Sequence, residues 1–136
     1  MTTVRFSIVG DRDVRVVCQC CRDLAARLRF SGLDLTMIAT AVSTLARCIL
    51  TLARHGEIEL HTESGGGRDC IVVIARAADC PGFQDHLPMR GLARLMDEVQ
   101  VESIQDHTTV WVRKAVASPR LWSPTATKPG RDTAAS

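Results

Sequence analysis

Six cysteines are the residues of this 136-residue chain with the most obvious capacity for chemistry. Cys18, Cys20 and Cys21 lie together in a helical pattern, whereas Cys70 and Cys80 flank an apolar run that predicts a buried strand. A zinc site needs paired Cys or His ligands, usually on loops, and the helix face shared by Cys18 and Cys21 is otherwise apolar. Because free cysteine is commonly buried as a small hydrophobe, we expect burial rather than metal binding.

Two other groups of residues could bind a ligand. The glycines at 65–67 could cradle a phosphate, but neither a helix nor a Lys-Ser/Thr pair follows them, so the pattern favours a hairpin loop. The histidines have no ligand partner at helical spacing; they are His55, His61, His86 and His107. Neither group predicts a cofactor or metal site.

Composition excludes several classes of function. The net charge of +2 is too small to predict a nucleic-acid surface, and the basic residues are interspersed with acidic ones. An aromatic share of 4%, with no Tyr, argues against a platform for stacking single-stranded bases. The length suits one domain. We therefore expect a single domain that does not bind nucleic acid.

The sequence also predicts a cytoplasmic location. The N-terminus has no apolar run between a basic start and a small-residue cleavage site, so it does not resemble a signal peptide. The longest apolar helical pattern is interrupted by Thr40, Ser43, Thr44 and Arg47, which argues against a membrane span. In the reducing cytosol the thiols stay free.

Hydrophobic periodicity predicts the elements that position these residues. A period of two over residues 4–9 indicates a strand, and spacings of three and four then indicate a helix that Asp11 or Asp13 caps and Ser31-Gly32 ends. A second helix is predicted from about residue 34 to 54, with Gly56 as its left-handed cap.

The rest of the chain predicts a hairpin, a helix and a second hairpin. The strands are expected at 57–63, 70–75, 99–104 and 108–114, with an irregular segment at 76–89 and a helix at about 90–98. Residues 117–136 are rich in Ser, Pro and Thr, which predicts a disordered tail after a domain at 1–116. This order predicts an α+β two-layer sandwich, with helices on one face of a mixed, mostly antiparallel sheet.

Four segments resemble a known family. They read TAVSTLARCI, GEIEL, CIVVIA and RGLARLMDEV, and the similarity covers about residues 3–115. The chain resembles the anti-sigma-factor serine kinases, especially their switch-kinase branch, within the gyrase, histidine kinase and MutL (GHKL) superfamily of Bergerat-fold ATPases. The resemblance implies the histidine-kinase-like ATPase fold, with ATP and magnesium as cofactors.

The family's first catalytic box places a Glu and an Asn four residues apart on the second helix. The Glu activates the attacking hydroxyl and the Asn holds the magnesium ion. By resemblance, those positions are Thr44 and Cys48 here. A threonine hydroxyl cannot act as a general base near neutral pH, and a soft thiol is a poor magnesium ligand.

The family's adenine-binding box and its ATP lid are also altered. The box reads Asp-x-Gly-x-Gly in the family; here Ala78 takes the Asp position and Cys80 the first Gly, while Gly82 is retained. A one-residue shift would return a carboxylate, that of Asp79, to the pocket. The lid is reduced to QDHLPMR, which contains no glycine. Gly91 matches the last glycine of the lid motif.

These losses together predict a pseudokinase that regulates by binding proteins. The resemblance implies a partner-switching pathway whose partner is a STAS-domain antagonist of an anti-sigma factor or a serine phosphatase. We expect the partner surface to lie at the rim of the former pocket, and the expected contact residues are Thr44, Arg47, Cys48, Arg90 and Arg94. The pocket itself is expected to be filled by the protein's own side chains.

Two alternatives remain open. An active serine/threonine kinase would retain a nucleotide pocket at Asp79, Gly82 and Gly91, with ATP and magnesium bound and an acid such as Asp85 as base. A redox-sensing domain would use an exposed thiolate of low pKa at Cys20, Cys48 or Cys80.

Overall fold

The computed structural model describes residues 2–65 and 68–116, and the chain forms five strands and three α-helices within them. The predicted order of elements is confirmed. The bounds are β1 Thr3–Ser7, α1 Asp11–Arg27, α2 Gly32–Leu52, β2 His55–Gly65, β3 Arg68–Ala78, a 3-10 helix Phe83–His86, α3 Met89–Leu95, β4 Glu98–Ile104 and β5 His107–Ala115. The predicted disorder of residues 117–136 concerns a segment outside the described residues.

The strands form one sheet in the order β1-β2-β3-β5-β4, in which every neighbouring pair is antiparallel. Side chains alternate along β3, so that Ile71, Val73 and Ala75 are buried toward the helices while Val72 and Ile74 are half-buried on the opposite face. The two-layer α+β prediction is confirmed, and the sheet is antiparallel throughout rather than mixed.

The open face of the sheet carries a charged network across three strands. Arg76 on β3 lies 2.9 Å from Glu57 and 3.2 Å from Glu59 on β2, and Arg5 on β1 lies 3.1 Å from Glu59. Because opposite charges face one another between neighbouring strands, the network stabilises the pairing of β1, β2 and β3.

The two long helices are fixed by caps and by an apolar face. Asp13 accepts hydrogen bonds from the backbone N–H groups of Val9 and Gly10, at 2.9 and 3.0 Å, so the predicted carboxylate cap of α1 is present. The apolar stripe of α2 is fully buried against α1, β2 and β3; its members include Ile38, Val42, Leu45, Ala46 and Ile49.

Two predicted helix ends are wrong. Ser31 does not end α1, which stops at Arg27; it begins α2 by accepting a hydrogen bond from Asp34 N at 3.1 Å. Gly56 is not a left-handed cap but pairs with Ala77 inside the β2–β3 hairpin. A Cβ at Gly56 would overlap Ile49 Cγ2, so glycine is needed there for close packing of β2 on α2.

By length and composition alone, α2 is also apolar enough to cross a membrane. The core helix of a soluble protein passes the same test, and α2 packs its apolar stripe on the sheet. The expected cytoplasmic location stays a prediction.

The segment between β3 and α3 is more ordered than expected. β3 continues to Ala78, and the chain then reverses direction through Asp79, whose φ is 55°. Gly82 has a φ of 76° and begins the 3-10 helix, which leads into α3 through Pro88. The left-handed backbone at Gly82 accounts for the glycine without any ligand.

Candidate functional site

Thr44 lies on α2 and is half-buried. Its hydroxyl donates a hydrogen bond to the backbone carbonyl of Thr40 at 2.8 Å, in the same way that Thr40 donates to Thr36. The hydroxyl proton is therefore engaged by the helix itself. A side chain in this arrangement has no basic group with which to activate a nucleophile.

Cys48 is one turn further along the same helix and packs against the hydrophobic core. Burial raises the pKa of its thiol above the ordinary value. The side chain is therefore a neutral thiol at physiological pH, whereas metal binding requires the thiolate. Cys48 has neither the hard oxygen nor the charge that magnesium prefers.

The segment after β3 and the helix α3 that follows it contribute apolar side chains to the hydrophobic core. Phe83 is 1% exposed, and Cys80, Leu87 and Leu92 are also buried members of the hydrophobic core. The backbone N–H of Cys80 donates to the carbonyl of Asp106 at 3.2 Å, which ties this segment to the β4–β5 turn. Side chains in a protein core pack closely, so they leave little free volume.

Asp79 is the residue that a one-residue shift would have returned to a nucleotide pocket. Its carboxylate lies 4.0 Å from His55 Nε2 and is 56% exposed. His55 lines a depression of about 430 Å³ at the ends of the strands, together with Glu57 and Arg76. Within this lining, Arg76 is paired with Glu57 at 2.9 Å.

The remaining predicted residues lie on or before α3. Arg90, Gly91 and Arg94 are exposed. A Cβ at Gly91 would meet only Pro88 Cβ, at 3.9 Å, so packing does not demand glycine there. α3 has only seven residues.

A polar groove of about 320 Å³ lies between α1 and α2. Two of the predicted residues, Thr44 and Arg47, contribute to it, and Cys48, Arg90 and Arg94 are not among its lining residues. The groove is lined by Cys18, Arg22, Ala39, Thr40, Ser43, Thr44 and Arg47. Sequence reasoning missed Arg22, although the spacing of Asp11, Arg15, Cys18 and Arg22 puts a polar stripe along one side of α1.

The charges of the groove come mainly from arginines. Arg47 Nη1 lies 3.8 Å from Asp11 Oδ1, with both side chains more than half exposed. Within residues 2–65 and 68–116, Arg22 has no ion-pair partner. The groove is therefore positively charged, and solvent reaches both guanidinium groups.

Cys18 is one of the residues that line the groove. Burial raises the pKa of its thiol, and a hydrogen bond from Ser43 is the strongest of the opposing influences. Arg22 and Arg47 oppose the rise more weakly through their charge. The thiol is therefore a neutral, polarisable group at physiological pH rather than a nucleophile.

The other thiols do not form a redox or metal centre in the part of the chain that is described. Burial raises the pKa of Cys20, and it raises that of Cys21 to about 12. All six cysteines are free, and the described residues contain no group of three His, Cys, Asp or Glu side chains that could hold a metal ion. The raised pKa values argue against a reactive thiolate at Cys20 or Cys48.

No protein-family model matches the chain, and no curated protein is similar enough to count as a match.

Proposed function

We propose that this protein is a cytoplasmic regulator of the anti-sigma type, with an ATPase-like fold, that binds a protein partner in a partner-switching pathway without ATP catalysis. The observation that carries this proposal is the buried segment after β3, in which Phe83, Leu87 and Cys80 belong to the core. In the kinases that the chain resembles, the corresponding segment shapes the nucleotide pocket. A buried, apolar segment at this place supports the view that the chain keeps the fold in order to present a binding surface, and not in order to bind a nucleotide.

The side chains at the family's catalytic positions support the same conclusion. Thr44 has its hydroxyl proton committed to the backbone, and Cys48 has a neutral thiol packed on the core. Activation of a hydroxyl and coordination of magnesium would each need a carboxylate or amide oxygen at these positions. This chain has a threonine and a cysteine at these two positions of α2 instead.

The surface of the helical layer is suited to a protein partner with an acidic patch. Arg47 lies in the groove between α1 and α2, and Arg90 and Arg94 are exposed on α3. Arginine is enriched at protein interfaces because its planar guanidinium forms several directed hydrogen bonds. A STAS-domain antagonist or a serine phosphatase is the partner that we propose, by resemblance to the anti-sigma kinases.

The first prediction concerns nucleotide binding. Titration of the reduced, full-length protein with ATP and magnesium in a calorimeter is expected to give no binding heat at near-millimolar nucleotide. The physical reason is that Thr44 and Cys48 supply neither a base nor a magnesium ligand, and that Phe83, Leu87 and Cys80 belong to the core. An anti-sigma kinase with an intact Glu and Asn pair serves as the positive control.

Micromolar ATP binding would contradict the proposal and favour the alternative, an active kinase that phosphorylates a STAS-domain protein. The second part of the experiment measures binding of the same protein to purified STAS-domain and phosphatase candidates, each in its phosphorylated and its unphosphorylated form, by surface plasmon resonance without nucleotide. Nucleotide-independent binding of one candidate is expected. If no candidate binds, a partner-switching role is wrong.

A further inference from the structure

We propose that the groove between α1 and α2 binds a phosphate monoester carried on a serine or threonine side chain of the protein partner. This inference rests on the proposed function, because it specifies the chemical form of the partner that the surface recognises. The starting observation is the presence of two guanidinium groups on opposite helices, Arg22 from α1 and Arg47 from α2. Each can donate two parallel hydrogen bonds to an oxyanion.

The charge in and around the groove favours an anion of more than one negative charge. Arg15 is exposed on the same side of α1 as Cys18 and Arg22, which puts a third arginine beside the groove, and the carboxylate of Asp11 lies near Arg47. Arg22 has no ion-pair partner in the described part of the chain, and Arg47 has only the 3.8 Å contact with Asp11. A phosphate monoester carries nearly two negative charges at neutral pH.

The geometry favours a tetrahedral anion over a carboxylate. A carboxylate presents two oxygens in one plane and is satisfied by one guanidinium fork, whereas the oxygens of a phosphate diverge and can meet forks from two helices. Ser43 also lines the groove, and its hydroxyl hydrogen-bonds to the Cys18 thiol. The hydroxyl groups of Thr40 and Thr44 donate hydrogen bonds to backbone carbonyls of α2. These two residues therefore line the groove without offering it further hydrogen-bond donors.

The size and lining of the groove favour a phosphorylated side chain over a nucleotide. The volume of about 320 Å³ is large enough for a phosphate group and the side chain that carries it. The lining residues include no aromatic side chain and only one aliphatic one, Ala39, so the groove offers no surface on which a base would stack.

The second prediction tests this groove by NMR. The ¹⁵N-labelled full chain is titrated separately with N-acetyl-phosphoserine amide, N-acetyl-glutamate amide and inorganic phosphate. The phosphoserine compound is expected to shift the amide resonances of Cys18, Arg22, Ser43 and Arg47 and to bind about tenfold more tightly than the glutamate compound. R22Q and R47Q are each expected to weaken its binding by a similar factor.

Two further variants separate the groove from general attraction of anions. R27Q removes the same charge from another side of α1 and is expected to leave binding unchanged. D11N removes the carboxylate beside Arg47 and is expected to tighten binding two- to fivefold, a gain that a misfolded variant would not show. Equal losses in R27Q and R22Q, or no gain in D11N, would overturn the inference.

The remaining outcomes are also decisive. Equal affinity for the phosphoserine and glutamate compounds would make the groove a general acidic-peptide site, and equal affinity for inorganic phosphate would make it a site for the free ion; either result overturns the inference. ATP binding in the calorimeter would overturn the proposed function while leaving this titration interpretable. Partner binding that persists in R22Q and R47Q, with no phosphoserine binding, would overturn this inference alone.

Discussion

At the scale of single residues, Lys114 connects three elements of the fold. Its side chain is only 9% exposed, and its Nζ donates to the carbonyl of Leu95 at 3.0 Å, at the C-terminal end of α3. Asp34 in the first turn of α2 lies 3.9 Å away, and Asp97 lies 3.7 Å away. A cation at the C-terminus of a helix also interacts favourably with the helix dipole. One buried charge thus links β5 to both α2 and α3.

The third prediction follows from this arrangement. Lys114→Met keeps most of the apolar stem but removes the ammonium group, so the Leu95 carbonyl loses its hydrogen-bond donor and the two carboxylates lose their shared cation. The free energy of unfolding is expected to fall by about 2 kcal/mol, as for loss of a charged hydrogen bond in a largely buried position. Urea denaturation followed by circular dichroism measures the change.

Asp97→Asn is the matched variant for Lys114, because it removes one of the three partners and leaves the ammonium group in place. Its loss of stability is expected to stay below about 1 kcal/mol, since Asp97 is half exposed. If Lys114→Met is as stable as the wild-type chain, the buried ion pairs contribute nothing net, and the connection between β5 and the helices is made by packing alone.

At the scale of elements, β2 and α2 approach each other closely at Gly56. A Cβ at this position would overlap Ile49 Cγ2 and would lie 3.0 Å from the carbonyl oxygen of Arg76. Ile49 is fully buried in the core, so its branched side chain cannot move aside without disturbing its neighbours. The absence of a side chain at Gly56 therefore sets the distance between the sheet and its central helix.

The fourth prediction is that Gly56→Ala lowers the free energy of unfolding by about 1–3 kcal/mol, as for other overpacked cores. Gly32→Ala is the control. Gly32 is the first residue of α2, and a Cβ there has no atom within 4 Å, so the variant is expected to gain up to about 1 kcal/mol from helix propensity. Equal effects of the two substitutions in urea denaturation would show that packing at Gly56 is not tight.

The sequence predicts those features of the fold that depend on neighbouring residues along the chain, and it does not predict contacts between distant residues. Hydrophobic periodicity is local, so the order of strands and helices and the two-layer architecture could be predicted. Ser31 and Gly56 were misassigned because both residue types occur at either end of a helix and in turns. The packing of Gly56 on Ile49 is a contact between two elements, and no local sequence pattern predicts it.

The groove was only half predictable for the same reason. By resemblance, Thr44 and Arg47 are predicted at the rim of the pocket, but Arg22 belongs to a different helix, and the groove that it shares with Arg47 depends on how α1 packs against α2. The polar stripe of Asp11, Arg15, Cys18 and Arg22 was available as a signal. It was overlooked because the apolar stripe of α1 dominates the periodicity of that segment.

At the scale of the whole molecule, buried thiols make the stability of the fold dependent on alkaline pH. Burial raises the pKa of Cys18, Cys20, Cys48 and Cys70, and it raises that of Cys21, which is fully buried, to about 12. An unfolded thiol titrates near about 8.5. The folded state therefore binds more protons than the unfolded state above this pH, and stability must fall as pH rises.

The fifth prediction is a steep loss of stability in mild alkali. The contribution of Cys21 is fully present below about pH 8.5 and is lost as the pH rises from there toward about 12, at about 1.4 kcal/mol per pH unit. The chain contains no Tyr, whose titration would otherwise overlap this range. Urea denaturation at pH 7, 8.5 and 10, with a reductant present, measures the slope.

Cys21→Ala is expected to be less stable at pH 7, because it leaves a small cavity, but to lose less stability between pH 8.5 and 10. Parallel curves for the two proteins would mean that Cys21 is already accessible to solvent and that α1 is packed more loosely on the core than its burial implies.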